Sequence, residues 1–126
     1  MPDIEDCLHQ VMAIRGALGA SLIDFTNGLT VGAIGRGPGG DPHTSAGGTA
    51  DLVTATVHSG AFAGQGRPGH IEDIIVTAGN GYHLVHFVGT GYGARWVLYV
   101  WLDRMLGNLA ITQRALRSIA TAIVAA

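Results

Sequence analysis

Gly16 to Ala33 reads GALGASLIDFTNGLTVGA. It spells a β-hairpin. Apolar residues lead into Asp24-Phe25-Thr26-Asn27-Gly28, and a second apolar run follows. Asn27-Gly28 supplies the positive φ that a tight turn needs. Leu18, Ala20, Leu22 and Asp24 point one way, and Ala17, Ser21, Ile23 and Phe25 the other. Both sets are mostly apolar, as an inner strand covered on two faces requires. Leu29 to Ile34 forms the second strand. Ahead of the hairpin, Ile4, Cys7, Leu8 and Val11 fall at helical spacing, which predicts a short amphipathic helix over residues 3 to 14. Asp3, Glu5 and Asp6 lie in its first turn, where the helix dipole favours them. A chain that opens helix, hairpin, helix is not a parallel doubly wound fold from its first strand. That excludes most cofactor-binding readings the glycines would otherwise invite.

Beyond the hairpin, Gly35 to Gly40 reads as a flexible loop. Asp41-Pro42 reads as an N-cap with proline at the first helical position. Ala46, Ala50, Val53, Val57 and Ala61 then form an apolar stripe. Gly47 and Gly48 each cost a helix roughly 1 kcal/mol relative to alanine. The helix therefore begins after them, or they permit a close backbone approach. Ile71 to Ala78 predicts a strand, Gly79-Asn80-Gly81 a turn, and Tyr82 to Val88 the returning strand. Arg95 to Leu102 predicts the last strand. Asn108 caps a final helix in which Leu109, Leu116, Ile119 and Ile123 share a face. The order is α-β-β-α-β-β-β-α. It predicts one domain over residues 1–126, with a five-stranded mixed or antiparallel sheet and helices on both faces.

Composition narrows the function. The 126 residues suit one core. A formal charge of −2 gives no broad basic field, so nucleic acid is not an expected partner. All seven basic residues are arginine, which excludes a Walker A lysine, a Schiff base and a Ser-Lys dyad. Arginine without lysine, beside abundant Ala and Gly, also suggests a GC-rich bacterial genome. The single Cys7 fits a reducing compartment, and the expected location is the cytoplasm. The acidic N-terminus does not read as a signal peptide, and none is expected there. No apolar run reaches the roughly 20 residues of a membrane span, so no membrane insertion is expected.

Gly35-Arg36-Gly37-Pro38-Gly39-Gly40 matches the G-x-G-x-x-G pattern, but so does Gly64 to Gly69, and Gly89 to Ala94 matches its Gly/Ala variant. Three matches in a chain with 20 glycines carry no cofactor information. The first also follows the second arm of a hairpin, whereas the fingerprint belongs in a parallel βαβ unit. His83 and His86 stand three apart on a strand and face opposite ways. With Cys7 as the only thiol, no metal site is expected. Cys7 reads as a buried hydrophobe, Asp24 as a turn residue, and Arg114 and Arg117 as a solvated face. No nucleophile–base spacing stands out, and no catalytic residue or cofactor is expected.

The element order and three segments resemble the Roadblock/LC7 family. The segments are Val11 to Ala17 running into Asp24…Asn27-Gly28-Leu29, the strand pair around Gly79-Asn80-Gly81-Tyr82-His83-Leu84-Val85, and Asn108-Leu109-Ala110 with Arg114, Leu116 and Ile119. The resemblance spans Ile4 to Ile123. It implies an α/β (α+β) fold, a profilin-like roadblock sandwich whose five-stranded, largely antiparallel sheet is covered by helices on both faces. It implies a non-catalytic regulatory or scaffold module that forms a homodimer and binds a small Ras-like GTPase, modulating its nucleotide cycle. In actinobacterial sets, similar proteins accompany a GTPase and a sensor histidine kinase.

Mapped onto this sequence, the resemblance places the dimer interface at Ala50, Val53, Val57, Ile71, Asp73 and Ile75. Arg36 and Arg67 are the partner-binding candidates, as arginines offered in trans from loops. The apolar strand at Ile71, Ile74, Ile75 and Val76 agrees independently, because an uncovered edge of that kind is an aggregation hazard. The alternative is a small-ligand sensor of PAS-like or profilin-like layout. It requires a cavity between sheet and helix with Tyr82, His83 and Tyr99 converging inside.

Overall fold

A computed structural model describes residues 3–62, 71–89 and 95–125. Asp3 caps α1 (Ile4–Met12), its carboxylate accepting the Asp6 N–H at 2.7 Å. The helix is shorter than its apolar spacing suggested and ends through Ala13. The hairpin follows as β1 (Ala17–Asp24) and β2 (Leu29–Gly35). Phe25 to Gly28 make its turn. Gly28 sits at φ +75°, and its N–H donates to the Asp24 carbonyl at 2.9 Å. The Asp24 carboxylate accepts both the backbone N–H and the hydroxyl of Thr26, so it is the turn residue its position implied. The Asn27 side chain accepts the Leu29 N–H at 3.0 Å.

The second helix starts later than the Asp41-Pro42 pair suggested. Asp41 accepts the N–H of His43 at 2.9 Å and so closes a separate turn, two residues on. Its carboxylate is no longer available as a helix cap. The helix α2 (Ala46–His58) begins without a side-chain cap from Ser45, and Gly47 and Gly48 lie inside its first turn. The remaining elements are β3 (Asp73–Ala78), β4 (Gly81–Val88), β5 (Trp96–Leu102) and α3 (Leu109–Ala125). Ile71 and Arg95, expected inside strands, stand just before them. Asn108 caps α3, its side chain accepting the Ile111 N–H at 3.0 Å.

Every pairing in the sheet is antiparallel, in the order β2-β1-β5-β4-β3. β1 is thus an inner strand, as its two apolar faces required. At Gly19 a Cβ would come within 1.7 Å of the Arg36 carbonyl, so only glycine lets the end of β2 lie this close. α1 and α3 cover one face, packing Leu8, Val11, Leu116 and Ile119 against Leu22, Leu84, Leu98 and Val100. α2 lies on the other face, with Ala46 and Val53 against Ile23, Val85, Val97 and Tyr99. Each large side chain so buried contributes about 1.5–3 kcal/mol. Thr112 is also fully buried, its hydroxyl donating to the Asn108 carbonyl at 2.7 Å. Its polarity hid it from the periodicity, yet that bond lets it sit in the core.

Candidate protein-interaction edge

β3 pairs with β4 alone, so its other side is a bare strand edge among the described residues. The Phe87 N–H donates to the Glu72 carbonyl at 3.0 Å. Antiparallel ladders alternate bonded and non-bonded pairs. In this register, the main-chain groups of Ile74, Val76 and Ala78 therefore turn toward β4. Those of Asp73, Ile75 and Thr77 turn outward. β2 is the second edge, but its pairing shifts register opposite Leu22 and Ile23, whereas β3 and β4 run without a break.

The outer side of β3 is also apolar. Ile75 and Val76 are 37% and 39% exposed, and Phe62 after α2 is more exposed still. Phe62, Ile71 and Ile75 line an open groove of about 670 Å³ along this edge, together with Thr56, Asp73 and Gln113. The start of the strand is pinned from behind. Asp73 pairs with His86 Nδ1 across the ladder, and its second oxygen accepts from Gln113 on α3 at 3.4 Å. Arg117 meets Glu72 at 3.4 Å, a surface contact worth roughly 0–1 kcal/mol.

The residues singled out by sequence separate into three groups. Asp73, Ile75 and Ile71 come together along the groove. Ala50 and Val53 do not: they are 4% and 0% exposed, Val53 packed beneath α2 against the sheet with Val57 half-buried beside it. The apolar stripe of an amphipathic helix faces its own core first, so those two positions offer no surface to a twin. The outward face of α2 carries Gly47, Gly48 and Leu52 instead, and a Cβ on either glycine would meet nothing within 4 Å. The third group is Arg36 and Arg67. Arg36 is exposed, its guanidinium carbon 5.8 Å from the centre of the Trp101 ring, a cation–π distance. Arg67 lies outside the described residues.

The proposed ligand cluster of Tyr82, His83 and Tyr99 does not form. Tyr82 stands on the α1/α3 face under Arg104, while His83 and Tyr99 stand on the α2 face. Adjacent strand residues cannot converge on one cavity. His83 and Tyr99 are instead bound to each other. Burial pushes the His83 pKa down and the Tyr99 pKa well above the usual phenol range. The neutral imidazole accepts the Tyr99 hydroxyl at 2.8 Å through Nδ1 and donates to Asn80 through Nε2 at 2.9 Å. The Trp101 indole N–H donates to the Asn80 carbonyl at 2.9 Å. This stack ties the β3–β4 turn to β5. Cys7 is buried, and burial followed by the nearby Asp3 and Asp6 charges raises its pKa, which keeps it a thiol. Gly37 and Gly40 bond each other across a tight turn, with five residues between Gly40 and the start of α2, so the first glycine motif meets no helix N-terminus. Among the described residues no three His, Cys, Asp or Glu side chains gather as a metal site, and no helix is long and apolar enough to cross a membrane.

An antiparallel five-stranded sheet with two helices on one face, one on the other and a bare β3 edge defines the profilin-like α+β sandwich. Within that class the chain has the Roadblock/LC7 fold. It superposes on a Roadblock/LC7 domain from Streptomyces avermitilis with TM-score 0.78 and 16% identity, covering 98% of this chain and 96% of that one. The gliding protein MglB of Thermus thermophilus gives TM-score 0.74 at 19% identity, covering 94% and 84%. An MglB structure with a tetrameric arrangement gives 0.75 at 20%, covering 94% and 83%. No family model and no curated protein matches the chain by sequence. At these identities the backbone plan is shared while most side chains differ.

Proposed function

We propose that this chain is a non-catalytic regulatory module that forms a homodimer through β3 and binds a small Ras-like GTPase, modulating its nucleotide cycle. The observation that carries the dimer is the bare, regular β3 edge running into an apolar groove. A second copy pairing antiparallel along β3 would satisfy the outward groups of Asp73, Ile75 and Thr77 and cover Ile75 and Phe62. Gly47 and Gly48 would let the α2 helices of two copies approach closely. The interface is then Ile71, Asp73 and Ile75 with the outward face of α2, in place of Ala50 and Val53. The MglB relative in a tetrameric arrangement supports self-association in this fold.

The GTPase rests on the Roadblock/LC7 resemblance, and the signalling set that includes a sensor histidine kinase rests on it too. Light scattering at micromolar concentration tests the dimer, and a strict monomer removes it. Pull-down against the GTPases encoded nearby, loaded with GTP or GDP, tests the partner. The expected result is nucleotide-dependent retention; retention of none in either state removes the partner. If the bound GTPase is stimulated, Arg36→Ala and Arg67→Ala separate an arginine offered in trans from simple docking. The same pull-down with the kinase encoded beside the GTPase tests the larger set.

A further inference from the structure

One surface outside the β3 groove remains unused, at the end of the sheet where β5 turns into α3. Met105 is 93% exposed, Leu106 54% and Ile111 65%. Exposed apolar side chains on a chain end or slack loop mean little, but these are held in place. The Asp103 carboxylate accepts the N–H groups of Met105 at 2.8 Å and Leu106 at 2.9 Å. The Asp103 N–H donates to the Gly16 carbonyl at 2.8 Å, and the Gly107 N–H to the Asp103 carbonyl at 2.9 Å. Ile111 follows in the first turn of α3, fixed by the Asn108 cap. The backbone thus holds Met105, Leu106 and Ile111 exposed and in place within seven residues of chain, and rigid presentation lowers the ordering cost of binding.

The charge around the patch is net positive. Arg104 and Arg114 flank it in sequence, and Arg15 precedes Gly16, which touches Gly107. Segments 13–18, 77–84 and 103–116 contain one acid, Asp103, whose carboxylate is engaged by the backbone. The chain as a whole is net acidic. Among the described residues, Arg95 and Arg117 have carboxylate partners while these three arginines have none. Methionine and arginine are both enriched in protein interfaces. Three arginines fall short of the four to eight basic residues that read as a lipid-binding cluster.

We infer that this end of the domain is a second docking surface, whose partner is an acidic amphipathic protein segment that lays its apolar face on Met105, Leu106 and Ile111 and its carboxylates on Arg15, Arg104 and Arg114. Arg104 reaches the end of β3, donating to the Ala78 carbonyl at 3.2 Å. Met105, Leu106 and Ile111 lie outside the groove that Phe62, Ile71 and Ile75 line, and this docking surface does not rest on the dimer or the GTPase.

The test uses the full chain and a fluorescein-labelled amphipathic helical peptide with leucine on one face and glutamate on the other. A control peptide carries lysine at every glutamate. The acidic peptide should bind saturably, and the lysine peptide at least roughly tenfold more weakly. The double change Met105→Glu/Leu106→Glu, and separately Arg114→Glu, should each weaken the acidic peptide roughly tenfold or more. The Met105 ε-methyl NMR signal should shift on binding while that of Met12 stays put. Equal binding of both peptides, or binding that these changes leave intact, overturns the proposal. So does binding to phosphatidylglycerol-containing vesicles without binding to the peptide, which would assign the patch to a membrane. Loss of self-association in the double variant would assign it to a second copy and overturn it equally.

Discussion

Asp24 closes the hairpin with bonds that favour its ionised form. The Thr26 hydroxyl holds its pKa below the usual carboxylate range, helped by the Thr26 N–H and by Arg95 at 3.4 Å, against the opposing effect of burial. A lowered carboxyl pKa contributes stability above the unfolded value near 3.8, and that stability is lost as pH falls through the folded value. Thr26→Val removes the hydroxyl and keeps the backbone bond. It should cost about 1 kcal/mol at neutral pH and move acid unfolding to higher pH, read from urea midpoints across an acid series. His83 acts with the opposite chemistry. Its pKa is lowered because burial penalises the charged ring, so the unfolded chain binds the proton better. Stability from this residue is complete above 6.5 and declines as pH falls below it. An imidazole NMR titration should therefore place His83 below 6.5, and His83→Gln should flatten that part of the stability profile. An unshifted midpoint would mean the ring is more hydrated than its packing indicates.

At the scale of elements, the hairpin was legible because its turn chemistry and its strand pattern agree. Asp24, Asn27 and Gly28 each perform locally what their residue types predict. The antiparallel β3–β4 pair was legible for the same reason. The start of α2 was not, because Asp41 has two local uses for one carboxylate and sequence does not rank them. Ala50 and Val53 show a second limit. A stripe tells which side of a helix is apolar, and a helix spends that side on its own sheet before any partner. Gly47 and Gly48, which the sequence marks as permitting a close backbone approach, lie on the opposite side. Both glycines face open space, so alanine there should raise the intrinsic stability of α2 by roughly 1 kcal/mol per site. If a twin helix packs over them, the same methyl groups obstruct it. Gly47→Ala/Gly48→Ala should thus unfold later as a dilute monomer yet dimerise more weakly by sedimentation. Equal dimerisation would remove α2 from the interface and leave β3 alone.

For the whole molecule, the open question is whether folding ends with one chain. Ile75 gives a clean probe because its N–H points away from β4. Proline is tolerated on an edge strand where the missing N–H faces outward. Ile75→Pro should therefore leave the sheet folded by circular dichroism while removing one donor from the edge a second copy would use. Association that favours the native state also raises its apparent stability with concentration. For a domain of this size, each tenfold increase in protein should raise the wild-type Tm by roughly 2–3 °C. Ile75→Pro should abolish that dependence and converge on the wild-type Tm at high dilution. A wild-type Tm independent of concentration, over a range where light scattering reports a dimer, would mean that the two copies meet without sharing stability. In that case the contact is not the continuous ten-stranded sheet that pairing of two five-stranded sheets along β3 creates. A flat response together with a monomeric mass would leave the β3 edge bare in solution, and its apolar groove would then belong to a different protein.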